Sequence, residues 1–198
     1  MSNVSGFRFF WCWQRFTVLA TLLVAVYLLP ATALEWSRTG IAAGEYWRLM
    51  TGHWVHLGIN HLLLNLTGLL ITGLLFRRHP ALGWWLGYLM LSPLVISTGL
   101  LLVAPELAWY RGFSGCLHGL LVFTALSNLK SDRRWSLIVL GFMAVKLAFE
   151  KFLYSATGET SLIAGVVITQ AHWLGALTGL MAGFLMLVWT ASRSTTRE

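Results

Sequence analysis

The chain has 198 residues, 57% of them hydrophobic and only 11% charged, which is far from the usage of a water-soluble domain and places it in a bilayer as an all-α membrane protein. Its formal charge of +7 is spread along the chain in short groups, so no single basic patch of the kind that binds nucleic acid is formed. The length suits one domain, residues 1–198, since no long polar linker, low-complexity tract or internal repeat divides it.

Roughly 20 apolar helical residues cross the hydrocarbon core, and hydropathy divides the chain into about six such stretches, over 15–34, 53–76, 82–104, 112–129, 135–153 and 171–191. Arg8 and Arg15 precede the first, Arg77 and Arg78 follow the second, Lys130, Arg133 and Arg134 follow the fourth, and Arg193 and Arg197 end the chain. The opposite connections hold only Arg38, Arg48, Arg111 and Lys151. The positive-inside rule therefore predicts cytoplasmic termini. The first stretch has a second reading, because Arg8 and Arg15, an apolar run and Ala31-Thr32-Ala33 also resemble a signal peptide with its cleavage site. Cys12 and Cys116 fall at different depths, so a disulfide between them is not expected.

The first outer connection, about 35–52, mixes Trp36, Tyr46 and Trp47 with Glu45 and Arg48. Such aromatics suit the headgroup level, and an interfacial anchor is the simpler reading than a substrate gate. In the second stretch His61 and Asn65 are four apart and project from one helix face. His53, His56 and His61 raise a metal site, but offsets of three and five residues diverge around a helix, and no metal or cofactor is expected. His79, beside Arg77 and Arg78, reads as a cytoplasmic turn residue.

The fourth stretch opens on YRGFSGCLHGL, residues 110–120, and holds Gly112, Ser114, Gly115, His118 and Gly119. His118 lies four residues after Ser114, either as a contact to substrate or as a packing histidine. In the fifth stretch Lys146 and Glu150 are four apart, and a local ion pair or snorkelling to the outer interface explains them. The connection 154–170 is rich in Ser, Thr and Gly. The sixth stretch opens on His172, followed by Gly175 and Gly179.

Polar groups inside a membrane are costly and call for a partner or a function. Ser114, His172, His61 and Asn65 all belong to stretches that enter from the outer side, and all fall in its half of the bundle. Gly115 and Gly119 form one G-x-x-x-G and Gly175 and Gly179 another, spacing that lets two membrane helices approach closely and would bring His172 to Ser114. A serine needs a base to become a nucleophile, and His172 is the candidate. No acid lies close in sequence or expected depth, which favours a dyad over a triad. His61, Asn65 and the Ser114 backbone N–H are donors of the type an oxyanion requires, while Gly112 and Gly115 leave room for a substrate backbone. Taken singly, the serine and histidine are ordinary packing groups.

The chain resembles the rhomboid intramembrane serine proteases. The matching elements are E-Y-W-R at Glu45 to Arg48, H-x-x-x-N at His61 and Asn65, G-x-S-G at Gly112 to Gly115 and A-H-x-x-G-x-x-x-G at Ala171 to Gly179, in the family's order. The resemblance implies a bundle of six transmembrane helices in which Ser114 is the nucleophile, His172 the general base and then acid, and His61 with Asn65 a support for the oxyanion. It also implies a fourth helix that starts below the membrane surface and a water-filled cavity open to the outside.

Within the family, R-G-F-S-G-C-L-H-G is similar to the rhombosortase branch, through Arg111 and His118. That likeness implies a bacterial inner-membrane enzyme with its site toward the periplasm. Its partners would be proteins bearing a C-terminal Gly-Gly motif, an apolar helix and a basic tail. Hydrolysis and transpeptidation both remain open as outcomes. The rival from another class is a catalytically inactive rhomboid-like protein that binds and escorts membrane clients. A transporter is a third reading, without the inverted repeat that would mark one.

Overall fold

The computed structural model describes residues 3–157, 159–160 and 165–195. The chain begins with α1 (Asn3–Tyr27), which ends before Pro30, a residue that lacks an N–H and disfavours helix in the residue before it. The apolar stretch expected over 15–34 is therefore broken, and its last residues form a separate short helix, α2 (Ala31–Leu34). The connection that follows runs through β1 (Trp36–Ser37), α3 (Arg38–Ala42) and α4 (Arg48–Thr51). The Ser37 hydroxyl caps α3 by accepting from the Gly40 N–H.

This connection is tied down rather than loose. The Arg38 guanidinium donates to the carbonyls of Leu100 and Leu101 in the last turn of α6 (Leu82–Val103) and of Ala104 and Leu107 just beyond it, which sets a cation at the negative end of that helix's dipole. Arg48 bonds Glu45 and the carbonyls of Thr32 and Glu35. Trp36, expected at the headgroup level, is instead fully buried, while Tyr46 and Trp47 are exposed.

Helix α5 spans Ile59–Leu75, so residues 53–58 of the second apolar stretch are not helical. Their side chains serve the loop: His53 Nε2 pairs with Ser97 Oγ at 2.9 Å, and Gly52 lies against the Trp36 backbone, where no Cβ would fit. Extended Gly58 then starts the helix. After α6 comes β2 (Trp109–Tyr110), then α7 (Ser114–Ser127), α8 (Arg133–Thr157), the short strands β3 (Glu159–Thr160) and β4 (Gly165–Val166), and α9 (Thr169–Thr195). The Ser, Thr and Gly-rich connection after α8 falls partly outside the described residues.

Among the described residues, α6 and α9 are long and apolar enough to cross a membrane by themselves, while Trp13–Tyr27, α5 and α7 are shorter apolar helices. Pro93 lies inside α6, a position that membrane helices tolerate. Helix α7 is the axis of the molecule and packs against α5, α6, α8 and α9. Its most intimate neighbour is α9: a Cβ on Gly119 or Gly175 would run into the carbonyl of the opposite glycine, Gly175 and Gly115 respectively, and one on Gly179 into the Gly119 carbonyl. Each crossing point thus depends on the absence of a side chain. Around this centre the large apolar side chains face outward, including Leu63 and Leu74 of α5, Leu91 of α6, Phe142 and Val145 of α8 and Phe184 of α9. A continuous apolar exterior of this extent is what lipid, and not water, solvates.

Candidate active site

The site forms where the outer loop, α5, α7, α8 and α9 converge. Antiparallel pairing of β1 with β2 sets Trp36 opposite Tyr110 and Ser37 opposite Trp109. Gly112 N–H donates to the Gly52 carbonyl, and the Tyr110 hydroxyl to the Gly112 carbonyl at 2.6 Å. Gly112 has φ +136°, a conformation that a residue with a side chain rarely adopts. These constraints aim the chain into α7, whose first helical residue is Ser114. The backbone N–H groups of that first turn have no partner inside the helix and sit at the positive end of its dipole.

The close α7–α9 crossing brings the half-buried Ser114 to the buried His172, with Ser114 Oγ 2.9 Å from His172 Nε2. On the other side of the ring, His172 Nδ1 lies 2.9 Å from Glu150 Oε2. The second carboxylate oxygen, Oε1, accepts from Lys146 Nζ, and the same ammonium lies 2.6 Å from His118 Nε2. His118 Nδ1 is 2.7 Å from the Ser114 carbonyl, and its ring stacks on His172 with centroids 4.1 Å apart.

Donor and acceptor chemistry assigns the protons in this network. The Ser114 carbonyl can only accept, so His118 carries its proton on Nδ1, and its Nε2 lone pair accepts from Lys146. A carboxylate can only accept, so His172 carries its proton on Nδ1, and Nε2 accepts from the Ser114 hydroxyl. His61 Nδ1 accepts from the Leu57 N–H, which leaves the His61 proton on Nε2. That edge of the ring packs on Gly112: a Cβ there would stand 2.7 Å from His61 Cε1 and 2.9 Å from Nε2. Asn65, also buried, donates to the His61 carbonyl at 3.0 Å.

The arrangement brings together Ser114, His172 and His118, and on the adjoining side His61, Asn65 and Gly112. Gly115, Gly119, Gly175 and Gly179 lie in the crossing. The expectation of a serine–histidine pair without a nearby acid has to be corrected. Glu150 does pair with Lys146, as its spacing suggested, but its other oxygen meets His172 from a different helix. The available signal was two ionisable residues inside an apolar stretch; the rotation of α8 that turns them toward α9 has no counterpart in a linear pattern. Arg111 is engaged by Glu35 at 2.7 Å.

The spacing of His53, His56 and His61 raises a metal site and disfavours it. Among the described residues the grouping with metal-ligand geometry is instead His118, Glu150 and His172, with candidate ligand atoms within 4.8 Å of one another. The Lys146 ammonium already contacts two of these three side chains.

Comparison with known proteins agrees with this geometry. The family model described as the Rhomboid domain matches residues 43–189. The chain is 27% identical to RHOMBOID-like protein 6, mitochondrial, of Arabidopsis thaliana, over 79% of this chain and 48% of that protein. It is 29% identical to RHOMBOID-like protein 2 of the same plant, over 83% of this chain and 51% of the relative. The chain thus spans about half the length of the curated relatives it matches. The match over most of the chain shows that this membrane protein belongs to the rhomboid family, whose members are generally intramembrane serine proteases.

Proposed function

We propose that the protein is an intramembrane serine endopeptidase, a single domain whose six helices cross a bacterial inner membrane with both termini cytoplasmic and Ser114 toward the periplasm. The observation that carries this reading is the 2.9 Å contact between Ser114 Oγ and His172 Nε2. The 14 residues of α7 rise only about 21 Å, against roughly 30 Å of hydrocarbon. Ser114 is then recessed below the outer surface, at a depth where water is tolerated inside a cavity lined by protein.

Ser114 Oγ attacks the scissile carbonyl carbon while its proton passes to His172 Nε2. The oxyanion is held by the Ser114 N–H at the start of α7, with His61 Nε2–H and the Asn65 amide beside it. Collapse breaks the C–N bond, and His172 returns the proton to the leaving amine. Water then releases the acyl group from Ser114, or a second amine captures it in transpeptidation.

The substrate we assign is the C-terminal anchor of a membrane or secreted protein, cut at a Gly-Gly motif that precedes an apolar helix and a basic tail. Arg111 and His118, in the stretch similar to rhombosortases, support this choice. So does chemistry, because glycine unwinds readily from a helix and brings no bulk into a confined site. A reporter bearing such an anchor should be cut by wild type but not by Ser114→Ala, and changing Gly-Gly to Leu-Leu should abolish cutting. Cutting of the Leu-Leu reporter at the wild-type rate would discard the Gly-Gly assignment and leave the protease. Capture of uncut reporter by both wild type and Ser114→Ala, with product from neither, would favour an escort protein instead.

A further inference from the structure

Helix α8 turns the largely buried Glu150 inward, with the partly exposed Lys146 beside it, a costly arrangement in a membrane protein. An ion pair made only for stability would turn Lys146 and Glu150 toward each other and satisfy both. Here the pair is shared. Glu150 uses Oε1 for Lys146 and Oε2 for His172, and both contacts have hydrogen-bond geometry. The side chain of Glu150 is 12% exposed and that of His172 9%, so water competes little for either. Lys146 in turn spans from Glu150 to His118, which stacks on His172 and holds the Ser114 carbonyl. Every group around the His172 ring is thereby tied to the next.

We propose that Glu150, aimed by Lys146, is a positioning residue that fixes His172 in the Nδ1–H tautomer with Nε2 toward Ser114, converting the serine–histidine pair into a Ser114–His172–Glu150 triad. The proposal rests on the protease reading above. The neutral imidazole can take the Ser114 proton only if its Nε2 is unprotonated, and a carboxylate at Nδ1 selects that tautomer. When Nε2 accepts the proton, the imidazolium gains the charge of Glu150 as a partner 2.9 Å away, and the carboxylate itself stays unprotonated. Lys146 balances that carboxylate while the imidazole is neutral. His118 takes part without changing charge, since it donates to the Ser114 carbonyl and accepts from Lys146.

Glu150→Gln is the informative variant. A glutamine amide can turn its NH2 to Nδ1, which drives the histidine proton to Nε2 and removes the acceptor for the serine hydroxyl. We expect kcat for reporter cleavage to fall by about 100-fold or more, with KM little changed, as wrong-tautomer variants of other triads behave. Glu150→Asp, which keeps the carboxylate, should recover most of that loss. On unaltered protein with nitrogen-15 histidine, the His172 resonances, assigned by their loss in His172→Ala, should report a proton on Nδ1. This reading is made on the unaltered protein and, given a folded His172→Ala for the assignment, does not depend on Glu150→Gln folding. With wild-type Ser114 labelled normally by a fluorophosphonate, a Glu150→Gln rate within about threefold of wild type, or a His172 proton on Nε2, would overturn the positioning role alone. No labelling of wild type at all would remove the protease reading, and the triad with it.

Discussion

Gly175 of α9 lies so close to Gly115 of α7 that a single methyl group on Gly175 would overlap the Gly115 carbonyl. The contact lies beside the Ser114–His172 pair, one residue beyond the first and three beyond the second. The distance between nucleophile and base is therefore set by how near two backbones can come.

Gly175→Val should accordingly separate the helices. Overpacking of this kind costs about 1–3 kcal/mol, to be read as a lowered unfolding midpoint in detergent. Reaction of Ser114 with a fluorophosphonate should fall in step. Gly141, where a new Cβ meets nothing, supplies the control, and Gly141→Ala should leave labelling at the wild-type value without lowering the midpoint.

Gly112 combines φ +136° with the His61 ring against its α-carbon. Gly112→Ala should both strain the backbone, by about 1–3 kcal/mol, and push the His61 donor out of place. The expected result is a protein that still folds but cleaves its reporter at least tenfold more slowly. Unaltered cleavage would mean that this edge of His61 is not part of the site.

Removing the oxyanion donors directly gives a sharper test. His61→Ala and Asn65→Ala should each lower kcat by about 10²–10³ if they stabilise the tetrahedral state, with KM nearly unchanged. A rise in KM at constant kcat would make them substrate-binding groups instead.

Arg38 donates to carbonyls in the last turn of α6 and just beyond it, and it sits outside the reacting groups. Arg38→Gln should lower stability by about 1–3 kcal/mol, while reporter cleavage measured well below the unfolding midpoint stays near wild type. Loss of cleavage from a fully folded variant would show that the outer connection does more than anchor the loop.

Much of this arrangement was readable from a linear pattern because the membrane makes depth legible. The charge distribution gives each apolar stretch a direction, and that direction sets Ser114 and His172 at one level before any contact is known. Two G-x-x-x-G spacings then name the helices that can approach, and α7 and α9 are the pair that do. Residues 53–58 read as helical because they adjoin an apolar run, yet the His53 side chain is held by Ser97 and the preceding Gly52 lies against Trp36, contacts that no periodicity reports. Glu150 was missed for a related reason. Depth alone does not say which face of α8 turns inward, and a lysine four residues away offered a sufficient local partner. The β1–β2 pairing that braces the segment before Ser114 is only two residues long in each strand, too short to leave an alternating pattern.

The topology makes an independent prediction. With the proposed topology, green fluorescent protein fused after Glu198 should fluoresce, and alkaline phosphatase inserted in the connection between α4 and α5 should be active, as the positive-inside rule predicts. The opposite pattern would invert the protein and put Ser114 on the cytoplasmic side.

Activation of Ser114 by His172 is tested most directly by fluorophosphonate labelling of the purified, folded protein in detergent, with Ser114→Ala and His172→Ala alongside. The wild type should carry an adduct on Ser114, and neither variant should be labelled. A folded wild type that takes no label, while a known rhomboid protease labels under the same conditions, would contradict this activation.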